Sequence, residues 1–89
     1  MPANKKAVFN TSYGAITQEL EKMEKDLRAI ITREPENAMA LNALGYTLAD
    51  RTTRYAEAKA LIEKAHQLTP DDPAVLDSLG WVNYRLGNL

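Results

Sequence analysis

A short pattern occurs twice in this chain, as Leu41-x2-Leu44-Gly45 and Leu76-x2-Leu79-Gly80, with the two copies 35 residues apart. The same offset pairs Tyr46 with Trp81, Pro35 with Pro70 and Leu27 with Ile62. A period between about 20 and 50 residues marks a solenoid, in which each unit leaves an apolar face that only its neighbour can cover. The chain must therefore fold as one supersecondary unit repeated in register.

Each unit reads as helices. Apolar Ile16, Leu20, Met23, Leu27, Ile30 and Ile31 alternate with Glu19, Glu21, Lys22, Glu24, Lys25 and Arg28, an amphipathic helix from about Gly14 to Arg33. Pro35 disfavours helix at Glu34, and Asn37 offers an N-cap to a second helix, Ala38 to about Arg51, with the core stripe Leu41, Leu44 and Leu48. Gly45 lies in that stripe at a cost of about 1 kcal/mol relative to alanine, which close approach of the helix carrying Ala58 would explain. Thr52, Thr53 and Arg54 form a turn, and Thr53 or Arg54 caps a third helix, Tyr55 to Leu68, expected to bury Tyr55, Ala58, Leu61, Ile62, Ala65 and Leu68. Pro70 stops it. Asp72 before Pro73 then starts a fourth helix that runs to about Leu86, expected to bury Leu76, Leu79 and Val82 before Gly87 supplies a left-handed cap. Residues 1–13 lack helical period and read as a mobile or non-native lead, in which Val8, Phe9 and Tyr13 are apolar enough to pack on the first helix.

The spacing Leu41-x2-Leu44-Gly45-x2-Leu48, followed by Ala58-x3-Ile62 and Pro70, resembles the tetratricopeptide repeat (TPR) pattern. The next copy holds Leu76, Leu79 and Gly80, then Asn83 where an aromatic residue is usual, with Tyr84 beside it. The preceding copy has only the second half, Met23, Leu27, Ile30 and Pro35. The resemblance implies an all-α fold of antiparallel helical hairpins in a right-handed solenoid fragment of about four helices. Its divisions are the lead 1–13 and a TPR domain 14–89, made of a partial repeat 14–35, a full repeat 36–72 and the first helix of a truncated repeat 73–89.

In this family the first helix of each repeat lines a concave groove. The face opposite the leucine stripe carries Asn42, Tyr46, Ala49 and Asp50 on the second helix, and Asp77, Trp81, Tyr84 and Arg85 on the fourth. Aromatic residues among mixed polar neighbours suit a protein-binding or peptide-binding surface, because Trp and Tyr give large contact area at low entropic cost. Tyr46 and Trp81 would equally fill the seam between successive repeats. Capture of a peptide's C-terminal carboxylate, known in part of the family, needs cations on that face; Arg85 is the sole one, and Asp77 would repel the anion. A narrower resemblance runs through MEKDLRAIITREPENAMALNALGYTLADRTTRYAEA and DDPAVLDSLGWVNYRLGN, which look like segments of Gram-negative TPR lipoproteins, including the adaptor of a periplasmic carboxyl-terminal processing protease. It implies a periplasmic or outer-membrane-attached whole protein, with a cytoplasmic one as the alternative.

Other chemistries find little support. A formal net charge of -1 with acids and bases interspersed gives no basic stripe for nucleic acid. There is no cysteine for a disulfide, a thiolate metal site or a nucleophile. No run of about 18 apolar residues could span a membrane, and the opening residues lack the apolar core of a signal peptide. His66, the one histidine, reads as a surface residue, no serine has a nucleophile-elbow setting, and Asp71 and Asp72 read as helix-capping acids. No spacing suggests a metal site. The expectation is a non-enzymatic interaction module without cofactor, holding a protein or peptide on Asn42, Tyr46, Asp50, Asp77, Trp81, Tyr84 and Arg85. The alternative is a structural segment that forms homodimers. Its contact would be the first helix, where Ile16, Leu20, Met23, Leu27 and Ile30 alternate spacings of 4 and 3, or an uncovered edge of Leu79, Val82, Leu86 and Leu89.

Overall fold

Prolines and capping side chains divide the chain into helices. A computed structural model describes the backbone of residues 2–87 and the side chains of residues 17–87. It has α1 (Pro2–Arg33), α2 (Ala38–Arg51), α3 (Tyr55–Leu68) and α4 (Pro73–Arg85), and no strand among the described residues. The Asn37 Oδ1 accepts the Ala40 N–H at 3.0 Å and the Asp72 Oδ1 accepts that of Ala74 at 2.9 Å, so α2 and α4 each begin with one orphan donor satisfied. Arg54 occupies the N-cap of α3 without a side-chain cap bond; Thr52 Oγ1 instead accepts the Arg54 N–H at 3.0 Å. Gly87, at φ 80°, takes the left-handed conformation expected after α4.

The start of α1 departs from expectation. The helix begins at Pro2 and takes in the backbone of residues 2–13, which the sequence assigned to a mobile lead. Pro2 stands at a first helical position, where proline is tolerated, and no second proline follows before Pro35. Gly14 alone is a weak stop, because a single helical glycine costs only about 1 kcal/mol.

Consecutive helices pack on one another, and α2 also meets α4. The core is Leu41, Leu44, Leu48 and Ala49 of α2, Ala58, Ile62 and Ala65 of α3, and Val75 and Val82 of α4, with Leu27 and Ile31 of α1 packed against it. Full burial of a Val, Leu or Ile side chain contributes about 1.5–3 kcal/mol. The α2–α3 hairpin is the tightest contact. A β-carbon at Gly45 would lie 2.5 Å from Ile62 Cγ1 and 2.9 Å from the Ala58 carbonyl oxygen, so only glycine admits this approach.

The fourth helix buries a different stripe from the expected one. Val75, Ser78 and Val82 face inward, while Leu76 is 48% exposed and Leu79 half-buried. Since α4 meets only α2 and α3, its inward stripe is the one that touches them, and the ridge Leu76, Leu79, Gly80 stands one residue further round the helix. A β-carbon on Gly80 would meet nothing within 4 Å. The expected uncovered edge changes accordingly: Val82 is fully buried, Leu86 packs against the core, and Leu89 lies outside the described residues. Ser78 tolerates burial because its hydroxyl donates to the Ala74 carbonyl at 3.0 Å.

Helix α1 touches only α2 through its backbone, yet polar side chains tie it to α3. Arg54 donates through both terminal nitrogens to the Glu24 carboxylate, each at 2.9 Å, and to Glu57 at 2.8 Å. Arg28 completes the square, pairing with Glu24 at 2.8 Å and also with Glu57. Hydrogen bonds from Arg54 and then Arg28 hold the Glu24 carboxyl below the usual glutamate range, and those from Arg28 and then Arg54 do the same for Glu57.

Two outcomes follow. Gly45→Ala should lower the unfolding free energy by about 1–3 kcal/mol, as overpacking does, whereas Gly80→Ala should raise it by up to about 1 kcal/mol by helix propensity alone; urea midpoints of the two variants decide. Because the folded-state pKa values of Glu24 and Glu57 are depressed, their contribution is complete above the unfolded glutamate pKa near 4.5 and is lost as pH falls through the lower folded values. Partial exposure and salt keep each pair to about 0.2–1 kcal/mol, so Glu24→Gln should flatten the acid limb of the stability curve without moving the plateau by more than that amount.

Candidate functional site

Helical spacing of 4, 3 and 1 puts Asn42, Tyr46, Ala49 and Asp50 on one stripe of α2, and Asp77, Trp81, Tyr84 and Arg85 on the matching stripe of α4. The structure gathers these residues into two clusters. Arg85 organises the C-terminal one. Its Nε–H donates to the Ala49 carbonyl oxygen at 3.2 Å, in the last turn of α2, where backbone acceptors have no partner within the helix. Its guanidinium carbon lies 5.4 Å from the Tyr55 ring centroid and 5.5 Å from that of Trp81, a cation held over two aromatic faces. Trp81 in turn stacks on Tyr84, with centroids 5.7 Å apart and planes inclined by 23°.

The expected free cation of the face is thus committed to joining α4 to α2 and α3. Trp81 is half-buried, with its Nε1–H enclosed and without a hydrogen-bond partner among the described residues, while Tyr84 is 57% exposed. Seam and open face are therefore occupied by adjacent aromatics: Trp81 lines the join and Tyr84 looks outward from it.

The second cluster lies at the α1–α2 junction. Tyr46 is 45% exposed and borders a cleft of about 220 Å³ with Leu20, Met23, Thr47 and Asp50. Asp50 is half-buried and pairs only with its neighbour Arg51, at 3.3 Å, among the described residues. Asn42 is half-buried with its Oδ1 enclosed and unpartnered, and Asp77 is exposed on α4. Tyr55 was expected in the core and instead forms a platform under Arg85, and the α1 side of the cleft, Leu20 and Met23, carried no binding signal in the sequence. Both would follow from the repeat offset, since Tyr55 stands 35 residues after Leu20 and Ala58 35 after Met23.

The face offers apolar contact, amide and indole hydrogen bonding and two carboxylates. His66, expected on the surface, is half-buried with Nδ1 enclosed and unpartnered, because its side of α3 lies beside the core residue Ala65. Among the described residues no group of three or more His, Cys, Asp or Glu side chains could hold a metal ion, and no helix is long and apolar enough to cross a membrane.

The chain is 75% identical over 71 residues to the TPR repeat-containing protein PA4667 of Pseudomonas aeruginosa, a match covering 80% of this chain and 12% of that protein. It is 42% identical over 64 residues to bacteriophage adsorption protein A of Escherichia coli K12, covering 72% of this chain and 6% of that protein. The chain thus spans about an eighth or less of the length of these relatives. No protein-family model matches it.

Trp81 is the chain's single tryptophan, so its fluorescence reports on the Arg85 cluster. Arg85→Ala should shift the emission and lower stability by about 0.5–1 kcal/mol, the usual worth of an exposed cation–π contact. Arg85→Lys should not restore the original spectrum, since an ammonium lacks the planar group that both stacks and donates sideways.

Proposed function

Because the chain belongs to the tetratricopeptide repeat family, whose stacked units present extended concave surfaces for binding, we infer that it is a non-enzymatic interaction module that holds a protein or peptide segment along the α2–α4 face. The observation that carries this reading is the pair of exposed tyrosines, Tyr46 and Tyr84, on matching stripes of two neighbouring helices. Large apolar rings left open to water on one face are the usual anchors of an interface. Around them lie an indole N–H at Trp81 and an amide oxygen at Asn42 without partners in the fold, both suited to the backbone of a bound segment.

Charge narrows the ligand. Asp50 and Asp77 are the carboxylates of the face, and Arg85 is engaged with Ala49, Tyr55 and Trp81. A neutral or basic segment is favoured over an acidic one, and over a free C-terminal carboxylate, by simple repulsion. Similarity to PA4667 and to the phage adsorption protein supports a scaffold role as part of a longer array; the partners of such an array are a separate question from those of this segment.

The test is a selection of short peptides against the immobilised chain, followed by titration of the best binders. Tyr46→Ala and Trp81→Ala should each weaken binding by about 1–3 kcal/mol with helical circular dichroism unchanged. Binders indifferent to both substitutions would place the contact elsewhere, and loss of helix in both would assign the aromatics to the seam alone.

A further inference from the structure

The two ends of this chain are complementary to each other. In its middle, α2 carries the ridge Leu41, Leu44, Gly45 and Leu48, and all four are buried. The helices that receive α2 bury Ala58 and Ile62 of α3 and Ser78 and Val82 of α4. Moved 35 residues toward the N-terminus, those four receiving positions become Met23, Leu27, Ala43 and Thr47. They line a single open, largely apolar groove of about 440 Å³ between α1 and α2, where Met23 is 48% exposed. Moved 35 residues the other way, the ridge becomes Leu76, Leu79, Gly80 and Asn83. This ridge too is open: Leu76 is 48% exposed against 1% for Leu41, and the space beside Gly80 is empty where that beside Gly45 is filled.

We propose that copies of this chain associate head to tail, the Leu76–Gly80 ridge of α4 in one copy seating in the α1–α2 groove of the next as α2 seats on α3 and α4 within the chain. The occupant of each open face is then a second copy, and the fit has a template in the same molecule. In that register Leu27 takes the place of Ile62 against the glycine, and Met23 the place of Ala58. Charge agrees with it. Within the chain, Arg85 meets the backbone of Ala49; across the contact, Asp50 of the groove copy takes the position of Arg85 and comes beside Tyr84 and Arg85 of the ridge copy, carboxylate against guanidinium.

Ridge and groove are different surfaces, so the contact is heterologous and does not close at two. The mean molar mass in sedimentation equilibrium should rise with concentration past that of two chains, whereas pairing of α1 with α1 or α4 with α4 would level off at two. Gly80→Glu fills open space without disturbing the fold and blocks the ridge; Met23→Glu, at an exposed position, blocks the groove. Each variant alone should remain monomeric. Mixed in equal amounts they should form dimers and stop there, because one retains a native groove and the other a native ridge. Leu76→Lys and Thr47→Lys serve as the second pair if circular dichroism shows loss of helix in either of the first. A wild-type chain that is monomeric at millimolar concentration, association that plateaus at two or survives either block, or a mixture that stays monomeric would each overturn the proposal. Peptide binding to the tyrosine face would be unaffected by that failure, since neither blocked residue belongs to it.

Discussion

The approach of α3 to Gly45 is the contact on which the rest of the structure depends. With the Ala58 carbonyl and the Ile62 side chain occupying the space where any other residue would carry a β-carbon, the α2 and α3 axes are drawn together. Leu41, Leu44 and Leu48 then close completely on one side. Close packing makes this hairpin the rigid body of the fold. On its flanks, α4 adds Val75, Ser78 and Val82, and α1 adds Leu27 and Ile31. The polar square of Glu24, Arg28, Arg54 and Glu57 bridges the one pair of helices, α1 and α3, that backbone packing does not join.

Helix boundaries were legible in the sequence wherever a stop or a cap has a local cause. Asn37, Asp72 with Pro73, Pro35, Pro70 and Gly87 each act through the backbone within a few residues of themselves, and each acts as read. The beginning of α1 had no such punctuation, and a polar stretch without apolar period is as compatible with an exposed helical turn as with a coil. The inward face of α4 was illegible for a different reason. Its apolar residues form two adjacent stripes, Val75, Ser78, Val82 and Leu76, Leu79, and the choice between them depends on which neighbours are present, a fact about tertiary structure that periodicity does not contain. The ion-pair square likewise needs Arg54, from a turn, to meet two glutamates 30 residues before it and 3 after it.

Much the same holds for the interaction face. The stripe itself follows from spacing, and Tyr46 and Tyr84 stand open on it. What spacing could not give is the use of Arg85, which sits above Tyr55 and Trp81 and donates to a helix-end carbonyl. A cation that appears in sequence as the one free positive charge of a groove is, in the fold, a rivet between repeats. Its engagement shifts the balance of the face toward its carboxylates, and with it the class of ligand the face would accept.

A solenoid unit has two faces that bear on its neighbours, and this chain uses each of them once internally. Because the ridge of α2 is closed by α3 while the equivalent ridge of α4 remains open, identical local sequence yields a core leucine at position 41 and a half-exposed one at position 76. Apolar area left in this way is stabilised only by contact with something of the matching shape. The groove between α1 and α2 is such a shape, built by the same repeat and presented at the opposite end. Growth along the ridge and groove extends the tyrosine face without covering it, since Tyr46 and Tyr84 lie on the stripe opposite the leucines; stacking and ligand binding are therefore separable properties of one repeated unit.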